Sequence, residues 1–428
     1  MIDDATAVSQ APFFHTVGVG AGPANLSLAA LFESSTTEKI ALFDREPGPA
    51  WHNKLLHSGV RMQTSWLKDL VSSVDPRHEL SFLNYLVTTG RFYGLMNAQF
   101  EVMPRLEYVR YLAWAADKLH NVNYGASIDR ISYGDHGFVV YSDDRVLARS
   151  EHLVIGVGSA PVIPPELAGL PRERAFIADE LAERIELMSL DKDATVAVIG
   201  GRQTGYEAVT RLLGAGFTDI RWFGRRLWFE TIDNSPAAND VYRPAHVEAL
   251  QRMSLPTRRR VIEGLEPTGD ALTPGAMRNL YQANYDRMLA LDRFPVTLYP
   301  ARQVASDGVD GDDILLSCAG LEGSEQHRVR HVVIATGREN VSIPFDDDLR
   351  ERVEVGEDGE LIVESDFSVR WKGMNGHRIY ALNRARLTQG LTDSNLTLLP
   401  VRAAIVLNSL FGRRLFEVRD VLCSVSWG

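Results

Sequence analysis

A strand that runs directly into a glycine-rich turn and then a helix leaves the backbone few alternatives, and the stretch from His15 to Leu26 has that form. Gly18 is expected to allow the tight turn and Gly20 to let the backbone approach a pyrophosphate, with Gly22 and Pro23 opening the helix. Such a helix start offers unpaired N–H groups and the positive end of the macrodipole to an anion. Pro23 replaces the usual third glycine at the first helical position, where a missing N–H costs nothing. The next apolar run, Ile40–Asp44, ends in a carboxylate about where an adenosine ribose needs one. A glycine-rich turn alone is weak evidence; strand, helix and acid together predict a dinucleotide site.

A second unit of the same kind begins at Thr195, where an apolar strand leads into Gly200-Gly201-Arg202-Gln203-Thr204-Gly205 and an amphipathic run carrying Tyr206, Val209 and Leu212. Two nucleotide sites in one chain suggest electron transfer between two cofactors. The strand after it ends in Arg225-Arg226 rather than in an acid, and guanidinium groups there suit the 2′-phosphate of NADP. The bland alternative is a solvated strand-end pair. Arg202 occupies the place of the middle glycine. Either it folds outward to pair with phosphate while Gly201 supplies the close approach, or nucleotide binding is weakened.

At 428 residues and 45% hydrophobic content, the chain is long enough for two to three domains. A net charge of −11, with no basic run of five or more, argues against nucleic acid as a partner. No targeting segment or transmembrane helix is legible, and the only two cysteines, Cys318 and Cys423, form no C-x-x-C pair. That excludes a disulfide scaffold, a zinc site and a dithiol redox centre, and suggests a reducing cytoplasm.

The expected fold is α/β, with two Rossmann-like domains and a small substrate-binding region. After the first unit a loop-rich segment from Glu46 to Asp75 carries Trp51, His52, Met62, Gln63 and Lys68; long irregular segments inside a domain are usually functional. Helical patterns cover Leu80–Thr88, Arg105–His120 and Thr273–Asp292. Residues 138–148 read as a hairpin and His152–Gly158 as a buried strand. Pro161, Pro164 and Pro165 mark a hinge. The strand Val329–Gly337 echoes Val154–Gly158, as though the chain were returning to the sheet it had left. On that basis the first domain is discontinuous, with 1–165 as its first part, 166–328 inserted, and 329–428 as the return strand and a C-terminal capping segment. The last helix, Ser394–Phe411, has Asp393 as a candidate cap and Pro400 as the flaw in its pattern.

These residues together resemble the microbial N-hydroxylating flavin monooxygenases, the lysine N6- and ornithine N5-monooxygenases of hydroxamate siderophore pathways. The matching blocks are Gly18–Ser27, Trp51-His52, Met62–Val71, Ser81–Leu86, Tyr111–Ala116, Asn239–Pro244, Ala335–Gly337 and Gly390–Thr397. The resemblance implies a class B flavin monooxygenase fold with FAD in the first site and NADPH in the second. It places Trp51, His52, Met62, Thr336, Gly337 and Leu396 among the cofactor contacts, with Gln63 beside the flavin ring. Lys68 and Asn239 would hold the carboxylate of an amino-acid substrate, and Thr397 stands where relatives have a substrate-contacting Ser. The chain departs from the pattern at Arg202, at Arg338 after Ala-Thr-Gly, where an aromatic is usual, and at Gln389, where a His is common. No counterpart of a further ornithine-branch Asn stands near Pro267–Thr273, so the lysine-like branch fits better. A dimer or tetramer is also implied.

The implied chemistry uses a C4a-hydroperoxyflavin made from NADPH, FAD and O2, attacked by a terminal amine, so no metal or protein nucleophile is required. Such an amine has a reference pKa of about 10.4, and an apolar pocket would lower it and raise the neutral, reactive fraction. Lys68 would pair with a lysine carboxylate and repel the second ammonium of a diamine. Rival readings are a relative acting on a diamine, ornithine or histamine, or a flavin-binding protein without turnover. The F-x-G-x-x-x-H linker of Baeyer–Villiger and S-oxidising relatives is missing at Phe176–Leu181.

Overall fold

The computed structural model describes residues 4–49, 51–56, 60–62, 69–100, 102–135, 137–373, 376–420 and 422–427. The first apolar strand, β1 (Phe13–Val19), lies in the middle of a sheet ordered β3-β2-β1-β6-β5-β4, with β2 (Ile40–Asp44), β3 (Val122–Tyr124), β4 (Arg130–Gly134), β5 (Gly137–Ser142) and β6 (Arg145–Ile155). β2 and β6 flank β1 in parallel, while β4 and β5 form an antiparallel meander with β6. The sequence reads β6 as two pieces because its partners change along its length. Its first half faces β5 with alternating burial, and its second half is a continuous apolar run between β1 and β17 (Ile379–Ala381). Helix α1 (Pro23–Ser35) packs on this sheet beside the C-terminal helix α8 (Leu399–Leu410). Helices α2 (Phe82–Thr88) and α3 (Arg105–Ala116) add Phe82, Tyr85, Tyr108 and Tyr111 to the same core.

The second sheet runs β11-β10-β9-β15-β8, all parallel, built from β8 (Ala175–Ile177), β9 (Val196–Ile199), β10 (Ile220–Phe223), β11 (Val296–Tyr299) and β15 (His331–Ile334). Its side chains alternate between two cores. Val196, Val198 and Trp222 meet α4 (Gln203–Ala215) and α7 (Pro274–Leu291). Ala197, Ile199 and Ile334 are covered by a three-stranded antiparallel sheet, β12 (Gln303–Asp310), β13 (Asp313–Ala319) and β14 (Ser324–Val329).

Two expectations change here. The strand at Val329–Gly337 does not return to the first sheet: β15 pairs with β9 and β8, and the chain rejoins β6 only at β17. A short apolar strand ending in glycine looks the same in either sheet, so its sequence cannot choose between them. The last helix begins at Leu399, not Ser394, because Pro400 occupies its first turn. Asp393 therefore caps nothing in that helix; it is buried, and its Oδ2 accepts the Ala385 N–H at 2.9 Å.

The chain passes between the two sheets twice, and the two crossings pair with each other. β7 (Ser159–Pro161) and β16 (Arg338–Asn340) form an antiparallel ribbon, and Val162 N–H donates to the Gly337 carbonyl at 3.0 Å. No helix among the described residues is long and apolar enough to cross a membrane.

Candidate active site

At the end of β1, Gly20 adopts φ +92°, and a Cβ there would stand 2.5 Å from the Gly156 carbonyl oxygen on the neighbouring crossing. Gly18 is still inside β1 and makes no turn; its smallness leaves room for Leu42 and Asn25, which corrects its expected role. Gly22 precedes α1 with no side-chain cap, and a Cβ there would meet nothing within 4 Å. Gly22, Pro23 and Ala24 line a cleft of about 1850 Å³. Small-molecule pockets run to about 300–1,000 Å³, so this space suits dinucleotides better than a single metabolite. Asn25 holds the turn by donating from Nδ2 to the Val19 and Gly20 carbonyls at 3.2 and 2.7 Å, and Gly156 leaves room for it. Asn25 was not singled out in the sequence; its signal is a buried amide in an otherwise apolar helix face. Asp44 accepts Ala21 N–H at 2.6 Å and Glu46 N–H at 2.9 Å, one on each oxygen, and faces the cleft.

Trp51 and His52 line the same cleft, with their rings edge to face at 4.6 Å. His52 is open to the cleft, yet enclosure by its walls, followed by the charges of Arg105 and Arg338, holds its pKa down at about 4. It is a neutral imidazole at pH 7. Met62 lies behind them in the core rather than on the wall. Gln63 and Lys68 lie outside the described residues.

The far wall comes from the C-terminal segment, where Asn383, Asp393, Leu396, Leu399 and Arg402 line the cleft. Thr397 donates its backbone N–H to Asn395 Oδ1 at 2.8 Å, and its buried hydroxyl has no hydrogen-bond partner among the described residues. Burial pushes the Asp393 carboxyl up to about 6, with Arg402 opposing the shift. Asn25 Oδ1, Asp393 Oδ1 and Arg402 Nε are likewise buried without partners. Buried polar groups are normally satisfied, so the two on cleft-lining residues, Asp393 and Arg402, mark where a polar ligand belongs, whereas Thr397 and Asn25 do not line the cleft.

The second loop repeats the first. Gly200 has φ +133°, and a Cβ would stand 2.0 Å from the Ala335 carbonyl oxygen. A Cβ on Gly205 would stand 1.9 Å from the Gly200 oxygen, so only glycine lets α4 approach this closely. Gly201 packs against Gly224, and Thr204 sits in the first turn of α4. Gln203 accepts Thr273 N–H at 3.1 Å and donates to Glu207 at 3.1 Å. Arg202 turns away from the loop to form an ion pair with Asp270. Arg226 pairs with Glu230 and stands 3.8 Å from Glu266, while Arg225 is exposed beside a hollow of about 540 Å³ that it shares with Trp228 and Leu321.

Asn239 is not brought to the cleft: it is exposed, and its Nδ2 donates to the carbonyls of Asn234 and Ser235 at 3.1 and 3.2 Å. Thr336 donates to the Val162 carbonyl at 2.7 Å, so with Gly337 it stitches the ribbon together. Arg338 reaches Asp179 at 3.0 Å and the Ser159 carbonyl at 2.9 Å from the cleft wall, which accounts for a cation in place of an aromatic. Gln389 is buried and donates to the Ser365 carbonyl at 2.8 Å. A contact between the two halves that the sequence does not reveal joins Arg105 of α3 to Glu207 of α4, bidentate at 2.8 and 3.0 Å and almost fully buried. Elsewhere, His15, Glu151 and His152 bring three possible ligand atoms within 4.8 Å. His152 Nδ1 accepts the Arg378 N–H at 3.1 Å, however, which puts the neutral ring's proton on Nε2 and closes that nitrogen to a metal.

Two dinucleotide loops, one at the parallel strands of each sheet, and a long cleft bordered by the first define a two-nucleotide flavoprotein oxidoreductase. A family model for L-lysine 6-monooxygenase/L-ornithine 5-monooxygenase matches residues 12–340, and the chain belongs to that family of FAD- and NADPH-dependent N-hydroxylating monooxygenases. It is 28% identical over 421 residues to the L-lysine N6-monooxygenase of Escherichia coli, covering 96% of this chain and 97% of that one. Among solved structures it is similar to the ornithine N-hydroxylase KtzI of Kutzneria sp. 744, in complex with reduced FAD, NADP+ and L-ornithine (TM-score 0.86, 26% identity, 94% and 99% coverage). It shares its fold with the FAD-bound cadaverine monooxygenase DfoA of Erwinia amylovora (TM-score 0.88, 21% identity, 96% and 98% coverage).

Proposed function

We propose that this chain hydroxylates the terminal amine of L-lysine at N6, consuming NADPH and O2, as an early step toward a hydroxamate iron chelator. The observation that carries the reading is the cleft itself, which runs from the Gly20–Pro23 helix start to the Asp393–Arg402 wall and opens beside the hinge ribbon. The residues fit FAD: an ungated helix N-terminus for pyrophosphate, Asp44 for ribose, and unpartnered polar atoms along the far wall. Bound there, the flavin supplies the oxygen chemistry. The chain's own groups bind, orient and exclude water: Trp51 and neutral His52 close one side, Leu396 and Leu399 the other. NADPH is assigned to the Gly200–Gly205 loop, with Arg225 at the 2′-phosphate because Arg226 is already engaged by two carboxylates. The inserted unit is taken as the chain between the two ribbon strands, about residues 162–337, slightly longer than the 166–328 expected from sequence. The preference for lysine rests on Lys68 within the Met62–Val71 block and on the overall likeness to a lysine enzyme.

The test mixes FAD-loaded protein with NADPH, O2 and L-lysine, L-ornithine, cadaverine, putrescine or histamine, and measures hydroxylamine against peroxide. Hydroxylamine from lysine alone is the expected result. Product mainly from a diamine keeps the chemistry and overturns the role of Lys68, and flavin that NADPH never reduces overturns the enzyme reading.

A further inference from the structure

Arg402 is the most deeply placed cation on the cleft wall, 4% exposed, on the second residue after Pro400 in helix α8. Its described partners are all uncharged oxygens. Nη1 donates to Asn383 Oδ1 at 2.7 Å and to the Asp393 carbonyl, and Nη2 donates to the Asn395 carbonyl at 3.3 Å. Nε has no partner among the described residues, and the nearby Tyr108 hydroxyl and Asp393 Oδ1 are likewise buried without one among them. Asp393 feels Arg402 electrostatically, but its bonded oxygen is spent on the Ala385 N–H. A buried charge with no contacting counter-charge among the described residues is costly in a low-dielectric wall and is retained where function uses it. The start of α8 adds the positive end of its dipole to the same wall, since Leu399 also faces the cleft.

We infer that Arg402 is a cofactor-binding residue whose buried guanidinium is the counter-charge for an anionic part of the bound FAD. This rests on the FAD reading above. Two parts of that cofactor carry suitable charge: the pyrophosphate, in every redox state, and the flavin ring, which becomes anionic when it accepts a hydride and keeps its N1 unprotonated. Neither part needs a covalent change in the protein. Asn383, Asp393 and Asn395 then have a common purpose, which is to hold the fork of the guanidinium still through neutral oxygens rather than an ion-pair contact.

The test compares wild type with Arg402→Lys and Arg402→Met, reading oxidised-FAD affinity by fluorescence and the two-electron midpoint potential by dye equilibration. Expected for Met is at least a tenfold loss, in one of two forms. Weaker FAD binding at an unchanged midpoint assigns the pyrophosphate. A midpoint lowered by about 30 mV or more, the equivalent of tenfold weaker binding of reduced over oxidised FAD, assigns the flavin ring. In both cases Lys restores part of the loss, because it restores charge. Unchanged affinity and midpoint in Met overturn the inference, as does equal loss in Lys and Met, which would make Arg402 a packing residue. Failure of wild type itself to bind FAD would instead overturn the cofactor reading.

Discussion

Gly18 and Gly20 are two residues apart, and a methyl group has different consequences at each. At Gly18 the obstacle is the tip of the Leu42 side chain, which can move; at Gly20 it is a backbone oxygen, at a φ that disfavours any side chain. Gly20→Ala is expected to weaken FAD binding at least about tenfold, against a few-fold change for Gly18→Ala. Comparable loss in both, by fluorescence titration, would contradict this account of the turn. Asp393 makes a second residue-scale prediction. Its folded pKa, about 6, lies above the ordinary 3.8, so its contribution to stability is complete below pH 3.8 and is lost as the pH rises through about 6. Relative to Asp393→Asn, the flavin-free wild type should lose roughly 3 kcal/mol between pH 4 and 7 and then stay level. Urea unfolding across that range checks it, and a difference independent of pH would refute it.

Among the elements, α3 and α4 belong to different sheets, and the Arg105–Glu207 bond joins them. Removing one partner of a buried ion pair strands the other, at about 3–5 kcal/mol, whereas replacing both with apolar residues costs less. Glu207→Met alone should therefore destabilise more than the Arg105→Met/Glu207→Met pair, measured by chemical unfolding; additive losses would show that the two do not interact. This bond also shows where the sequence stopped being legible. Both glycine loops, the acid at Asp44 and most helices were readable because each depends on neighbours within about 30 residues. Arg105 and Glu207 are 102 positions apart, and neither stands in a motif. The return strand is ambiguous in sequence for the same reason: β15 and β17 are both short and apolar, and only pairing separates them. Asn239 sits in a family block, yet its amide is spent on the local backbone, which residue identity cannot show.

At the scale of the whole molecule, the cleft depends on how the inserted sheet is held over the first. Arg338 spans the ribbon and reaches Asp179 beyond it. Arg338→Ala is expected to slow flavin reduction by NADPH about 10- to 100-fold, since small misplacements of reacting groups have effects of that size, while leaving FAD content unchanged. Stopped-flow absorbance at the flavin band tests this; an unaltered reduction rate would mean that the ribbon alone fixes the geometry.

The ribbon has one more consequence. Because the chain enters and leaves the insertion on adjacent antiparallel strands, the two ends of the insertion lie about 5 Å apart, one strand spacing. The insertion is thus a cassette on a single doorway: it can swing about that edge, but sliding would tear the pairing. Deleting residues 162–337 and joining the ends through two or three glycines should leave a flavoprotein of one domain that holds FAD and has lost its response to NADPH. Loss of FAD along with the cassette would show instead that the first domain needs its passenger to fold.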